Sequence, residues 1–557
     1  MKTNYLILFL AIISIISCQP KQQETADETA DTRPNLVVFF TDEMSPDYLS
    51  CYGGDMPTPH IDQLAAGGIR FENAYTPASM CTPSRFSFMT GQYPGRSQSE
   101  DFQENFPSDV PYSVAWNLHL TPETATIAKS LNEAGYNTGM AGKWHISSLP
   151  DGAQRPSFSE TDSLHETETL QKLVKYQRLV QQIVQEDGGF QETNSVLFGN
   201  FDGFPHPQLK FHNIPWITKG AVDFLRKQED GKNPFFLYVA TTGIHGPGHH
   251  EALHKDVALT PEGIMPEVAN YNPNVDSLIN AIDSVSNPKK HKIAGMAYLD
   301  HHVKTVMSTL KEIGELDNTI VMFMSDHNVE PGKATCYEKG IHIPMIIAGP
   351  GVTEGVSESV AQTVDVFPTM LNIVDAAKPE NHKMDGLDMS SILQNPEATH
   401  RKYAYAEAGY ARSITDGKMK YISFYYPQHI IDSMKSGELN FAPNQLGSKK
   451  QAHSSIAIES YPHYFESEQL YNLQEDPYEV NNLANSGEYA NLLEQMRDDL
   501  HNQFLNSFSH PYPSGPSEFR KTPAYDRLVR ETKSVGTDYI PWYKPHHGKL
   551  EWPPVNK

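Results

Sequence analysis

Two apolar, β-branched and aromatic runs lie far apart in the chain, Asn35 to Phe40 and Thr319 to Met324. Each stops abruptly at residues that can bind cations, Thr41-Asp42-Glu43 after the first and Ser325-Asp326-His327-Asn328 after the second. Runs this short and this uniformly apolar read as strands covered on both faces, the pattern of a parallel sheet between helices. In an open α/β sheet, ligands gather beyond the carboxyl ends of the strands. Residues that follow such runs therefore converge in space although they are distant in sequence. Amphipathic helical stretches, Thr124 to Ala134 and Tyr298 to Gly314, alternate with the strands, so the chain is expected to be a doubly wound α/β protein.

Two further runs end in basic residues. Tyr136 to Ala141 leads into Gly142-Lys143-Trp144-His145, and Pro234 to Ala240 leads into Thr241-Thr242-Gly243-Ile244-His245-Gly246-Pro247. A lone Lys or His at a loop tip is usually just solvated. Four strand ends that together carry Asp, Glu, His and Lys supply the residue types needed for a hard divalent cation and an anionic substrate.

Cys81-Thr82-Pro83-Ser84-Arg85 precedes the run Phe86 to Gly91, and the whole reads as a helix that begins at the cysteine. A cysteine there sits in the positive end of the helix dipole, beside free backbone N–H groups and an arginine four residues on. Pro83 is tolerated in the first turn because its missing N–H would have had no intrahelical partner. A single cysteine in such a place is more often buried and inert. The company of the four strand ends favours a reactive one.

The leader has its own logic. Lys2, the apolar run Tyr5 to Ile16, and Ser17-Cys18 read as an export signal over residues 1–17, too short to span a bilayer. Ile15-Ile16-Ser17-Cys18 resembles a bacterial lipobox, which would make Cys18 the lipidated first residue of the mature chain. Residues 18–34 are polar and are expected to form a flexible tether. No later run is long and apolar enough for a membrane helix, so attachment to the cell envelope is expected through lipid. The net charge of −24 argues against nucleic acid as a partner. There are four cysteines, and those left over, Cys51 and Cys336, make no disulfide framework. In an exported protein they could pair or stay free.

The Cys81 to Arg85 string resembles the signature of the formylglycine-dependent sulfatases of the alkaline phosphatase superfamily. Supporting segments follow in that family's order: Thr41-Asp42-Glu43, Gly91-Gln92-Tyr93-Pro94, Gly142-Lys143-Trp144-His145, Ser325-Asp326-His327, Gly332-Lys333 with Tyr337-Glu338, Pro344 to Gly351, and Val364-Asp365 with Pro368-Thr369. Leu470-Tyr471-Asn472-Leu473, Asp476-Pro477 and Asn481-Asn482-Leu483-Ala484 look like the family's closing motif, and the resemblance runs from about Asn35 to Leu505.

The resemblance implies a catalytic domain over residues 35–400, with a large mixed, mostly parallel sheet between helices. It also implies a smaller α+β subdomain with an antiparallel sheet over 401–506, which the hairpin pattern of Arg412 to Phe424 and the amphipathic stretch Tyr489 to Phe504 fit. The implied activity is hydrolysis of sulfate esters, with Cys81 oxidised to 3-oxoalanine (formylglycine) by a maturation enzyme. One calcium ion per chain would be held by Asp42, Glu43, Asp326, His327 and an oxygen of modified Cys81. Two positions depart from the family pattern: Glu43, where a second Asp is usual, and Asn328, where a glycine usually follows.

In the implied chemistry the hydrated aldehyde attacks sulfur, Arg85, Lys143 and Lys333 stabilise the developing charge, and His245 protonates the leaving oxygen. His145 hydrogen-bonds the diol and helps expel sulfate. Two rival readings are a phosphodiester or phosphonate monoester hydrolase of the same superfamily and a surface lipoprotein that binds glycan without catalysis. The exported address points to a sulfated polysaccharide or its oligosaccharides as substrate, with His249, His250 and Lys255 as candidate contacts. The insertion Ser147 to Phe211 is expected to be helical around Leu170 to Glu186. The tail 507–557, with Tyr539, Trp542, Tyr543, His546, His547 and Trp552, is expected to pack on the surface.

Overall fold

A strand buried on both faces can satisfy its backbone only in a hydrogen-bonded ladder, and the apolar runs do form one. The computed structural model describes residues 31–515 except 109, 230, 247, 284–289, 330, 437–456, 458–459, 465, 511 and 513–514. One sheet is built from β1 Asn35–Thr41, β2 Gly68–Phe71, β3 Asn137–Lys143, β4 Glu192–Leu197, β5 Phe235–Ala240, β6 Thr319–Ser325, β7 Met345–Ala348 and β8 Gly355–Ser357. Their spatial order is β8-β2-β7-β6-β1-β5-β3-β4. Among these, β7 alone runs antiparallel to its neighbours, while β6, β1, β5, β3 and β4 form a continuous parallel block.

Alternate residues of β1 serve opposite layers. Leu36, Val38 and Phe40 pack with the helices Cys81–Thr90, Ile127–Glu133 and Val366–Ile373. Val37 and Phe39 pack with Pro59–Ala66, Ile214–Arg226 and Lys290–Glu312 on the other side. The helix expected from Thr124 begins at Ile127, because the Thr126 side chain accepts from Lys129 N at 3.3 Å and caps it. The one expected at Tyr298 starts earlier, at Lys290. The insertion after Ser147 holds the helix Thr167–Ile183 and, beyond what its composition indicated, the edge strand β4.

A second sheet follows: β9 Ala404–Ala408, β10 Ala411–Thr415, β11 Met419–Phe424 and β12 Glu468–Asn472, antiparallel in chain order. The hairpin read from Arg412 to Phe424 is β10–β11. Helix Ala490–Asp499 carries the chain to Phe504, which stacks on Tyr405 at 4.9 Å. Phe508, His510 and Tyr512 then pack around Tyr112, so the two sheets share one apolar core. Residues 1–30, with Cys18, and the tail aromatics and histidines from Tyr539 to Trp552 lie outside the described residues. Cys51 and Cys336 are free thiols.

Candidate active site

The parallel block delivers its strand ends to one place. Register aligns Thr41 with Ser325 and Phe40 with Ala240, so the residues after β1, β6 and β5 emerge side by side. Gly142 at the end of β3 has φ +105°, and a Cβ there would lie 1.9 Å from Ala240 O. Only glycine permits that approach. Against the centre of this rim lies the N-terminus of the helix Cys81–Thr90, whose residues are all buried. Phe88 anchors the helix on Phe40 at 4.6 Å and Tyr238 at 5.4 Å. Gly91, at φ +66°, closes it in the left-handed conformation that suits a helix C-terminus.

At the focus, ligand atoms of Asp42, Cys81, Asp326 and His327 all lie within 4.8 Å of one another. The Cys81 Sγ is 3.5 Å from Asp42 Oδ1 and 3.2 Å from His327 Nε2. Burial and Asp42 push the Cys81 thiol up, but Lys143, His327 and Lys333 outweigh them and bring it down to about 6. Burial and the adjacent Asp42 raise the Asp326 carboxyl. Two buried carboxylates facing one imidazole and one nucleophile form a donor set that fits a divalent cation, since a cation between them relieves their repulsion.

Glu43 departs from the expected ligand set. Its carboxylate turns to Lys333 Nζ at 3.0 Å and lies 3.6 Å from His245 Nε2, outside the four-residue group. Its backbone, at φ +57°, instead donates N–H to Asp326 Oδ1 at 3.1 Å. Burial opposes its charge, yet Lys333 and His245 bring its carboxyl down to about 2.

Arg85 also differs from its expected role. It is fully buried and gives Nε and Nη2 to Asp326 Oδ2 at 3.1 and 2.9 Å. Nη1 donates to Lys143 O at 3.2 Å and Tyr238 Oη at 3.3 Å. Four of its five N–H groups are thus turned to Asp326, Lys143 O and Tyr238 Oη.

Lys143 Nζ reaches Asp42 Oδ2 at 2.5 Å and Asn200 Oδ1 at 2.6 Å. Lys333 Nζ donates to His245 Nε2 at 3.1 Å, and the His245 side chain keeps 16 % exposure. Burial and Lys333 hold His245 down at about 3. His145 is held well below its ordinary range by burial and Lys143, and among the described residues its buried Nδ1 has no partner. His249 is drawn into packing: it stacks on His212 at 3.6 Å, and its Nε2 meets His245 O at 3.1 Å. His250 is half-buried and Lys255 exposed.

Asn200 escaped the sequence reading. It follows β4 just as the other site residues follow their strands, but the four polar residues Glu192 to Ser195 hid that strand. Glu43, His145 and Ala334 adopt φ of +57°, +64° and +63°. Left-handed backbone is costly for such residues and persists where the surroundings over-determine it. Here each turns the chain beside a group that lines the site.

The sulfatase family model matches residues 34–376. The chain is 27% identical over 508 residues to an arylsulfatase of Clostridium perfringens, covering 84% of this chain and 94% of that one. It is 24% identical over 564 residues to an ulvan-active sulfatase of Formosa agariphila, covering 98% and 94%. A Bacteroides thetaiotaomicron sulfatase structure, solved in work on glycosaminoglycan metabolism, superimposes with TM-score 0.58 at 20% identity over 85% of this chain and 99% of that one. That likeness identifies the fold as alkaline-phosphatase-like. With the matched model covering the parallel block and every strand-end residue at the focus, the chain belongs to the sulfatase family and is a sulfate-ester hydrolase.

Proposed function

We propose that the protein removes sulfate from the sugars of an extracellular sulfated polysaccharide or its oligosaccharides, with formylglycine made from Cys81 as nucleophile and calcium as the metal. The observation that carries the mechanism is the convergence of Cys81 with Asp42, Asp326 and His327 at a buried helix N-terminus. The Sγ atom stands where an oxygen of the hydrated aldehyde would sit. Asp42, Asp326 and His327 would hold the cation, which when bound supplies Lewis-acid stabilisation of charge on the sulfate oxygens. Two carboxylates suit a hard ion such as calcium. The substrate class is supported by the ulvan-active relative and by the export and lipidation signals that end at Cys18. In this reading the chain is exported, matured at Cys81 by a formylglycine-generating enzyme, and tethered to the envelope by lipid.

The chain's own groups divide the work. One hydroxyl of hydrated residue 81, having lost its proton to solvent because Lys143, His327 and Lys333 favour an anion there, attacks sulfur while the bond from sulfur to the sugar oxygen breaks. Lys143 and Lys333 flank the position of the sulfate and stabilise its oxygens. His145, neutral and with no partner for Nδ1 among the described residues, takes the proton from the second hydroxyl as the aldehyde re-forms and sulfate leaves. His245 must gain a proton to act on the leaving oxygen. The negative charge of the bound ester supplies what burial and Lys333 oppose in the free site.

Mass analysis of the peptide that contains residue 81 should find the aldehyde in place of the thiol, and sulfate should be released from sulfated glycans far faster than phosphate from matching esters. A thiol in fully active enzyme overturns the nucleophile. Chelation should abolish turnover, and calcium should restore it better than magnesium; full activity in the chelated enzyme counts against the metal. For His245→Ala, loss should depend on the leaving group. Sugar sulfates should slow by about 10²- to 10⁴-fold, and 4-nitrophenyl sulfate, whose phenolate leaves unaided, much less. Equal losses on both substrates count against His245 as the acid.

A further inference from the structure

The closing motif around Asp476 to Ala484 contributes no group to the sulfate site, yet it is built with care. Asp476 accepts from the backbone N–H of Val480 and Asn481 at 3.2 and 2.8 Å. Asn482 binds two backbone groups along one edge of β12, accepting from Leu470 N at 2.9 Å and donating to Glu468 O at 2.9 Å. This turn, with Glu479 at φ +55°, fixes a fully buried Glu479 side chain. Glu479 Oε2 accepts from Glu338 N at 2.7 Å, and Oε1 lies 3.0 Å from Lys420 Nζ. Lys420, buried on β11, also pairs with Glu338 Oε1 at 2.6 Å.

Glu338 ends the loop that carries Lys333. The loop is closed on itself, with the backbones of Gly332 and Gly340 so near that a Cβ on Gly340 would lie 2.2 Å from Gly332 O. One side is tied to the segment before Cys81: Ala334 N donates to Ser79 O at 3.0 Å, and Ser79 Oγ donates to Thr335 O at 2.5 Å. The other side is tied to the second sheet, through Glu338 and through Tyr337 Oη, which donates to Gln469 Oε1 on β12 at 2.7 Å. Buried charges can be stable only while paired, so the Glu338–Lys420–Glu479 triad allows the loop one seat.

We propose that Glu479 is a positioning residue for catalysis. With Lys420 it clamps the Lys333 loop onto the C-terminal sheet and thereby fixes the Lys333 ammonium between Glu43 and His245. The inference rests on the assignment of Lys333 to the sulfate site.

A double-mutant cycle in the full chain tests it, with Glu479→Gln, Lys333→Ala and the pair assayed on 4-nitrophenyl sulfate alongside thermal melting. Glu479→Gln keeps an acceptor for Glu338 N but removes one of the two carboxylates that pair with Lys420. It should lower kcat/KM by about tenfold in the parent chain, as misplacing a reacting group does. It should change nothing further once Lys333 is alanine. Equal losses in the two backgrounds, or no loss in the parent, overturn the clamp. A fully active Lys333→Ala variant instead overturns the placement of Lys333 in the sulfate site, and the clamp's catalytic role with it. Should Glu479→Gln fail to fold, Tyr337→Phe, which removes a single neutral hydrogen bond from the same loop, enters the cycle with the same expected and contrary results.

Discussion

Cys81→Ala should lower kcat by at least about 10⁴-fold, the scale seen when a nucleophile is deleted from a constellation that acts as a unit. The physical reason is the position of residue 81, the one point of the Asp42, Asp326 and His327 group from which a nucleophile can be delivered. Lys143, His327 and Lys333 favour a negative charge there strongly enough to overcome burial, and that preference serves an oxygen nucleophile as well as a thiolate. Alanine offers neither. The variant should still fold, because the polar contacts of Sγ are to Asp42 and His327 and the helix is held by Phe86, Phe88 and Met89. Sulfate release measured beside a melting curve decides the matter. Turnover within a hundredfold of the parent would remove Cys81 from the mechanism.

Arg85→Met should be the most damaging change among the supporting residues, for stability as well as activity. Asp326 would lose both guanidinium bonds and remain buried next to Asp42. Breaking a buried pair from one side leaves an uncompensated charge, which costs about 3–5 kcal/mol. Because Arg85 orients Asp326, the affinity for the proposed calcium should fall by about ten- to a hundredfold. Added calcium should then recover part of the activity. Arg85→Lys should rescue little, since an ammonium cannot reproduce the forked contact to Asp326 while also reaching Tyr238 and Lys143 O. Urea unfolding and a calcium titration of activity report the two effects separately. If KM for the ester rises while stability and calcium dependence stay as they were, Arg85 touches the sulfate directly and the supporting role is wrong.

These effects bear on how much of the site could be read without coordinates. Asp42, Asp326 and His327 were legible because each follows an apolar run, and the rule that parallel strands present ligands at their carboxyl ends needs no detailed structure. Cys81 was legible from the helix signal after it. The roles of Glu43 and Arg85 were not. The resemblance to the sulfatases implied a ligand in Glu43 and a sulfate contact in Arg85, while the partners each takes up lie in distant segments. Glu43 turns away because its backbone is left-handed, and it finds Lys333, a residue far along the chain. Arg85 lies one helical turn below Cys81, on the side facing Asp326 and Tyr238.

The sequence by itself determined the α/β layering, the strand-end positions of Asp42, Asp326 and His327, and the helix that begins at Cys81. Those features depend on apolar period, run length and capping, which act over a few residues. Only the tertiary structure decided which cation meets which anion, that Asn200 joins the rim, and that Glu479 grips the loop of Lys333. Such pairings depend on distances between segments that the sheet order brings together, and on φ signs at Glu43, His145, Ala334 and Glu479 that their surroundings impose.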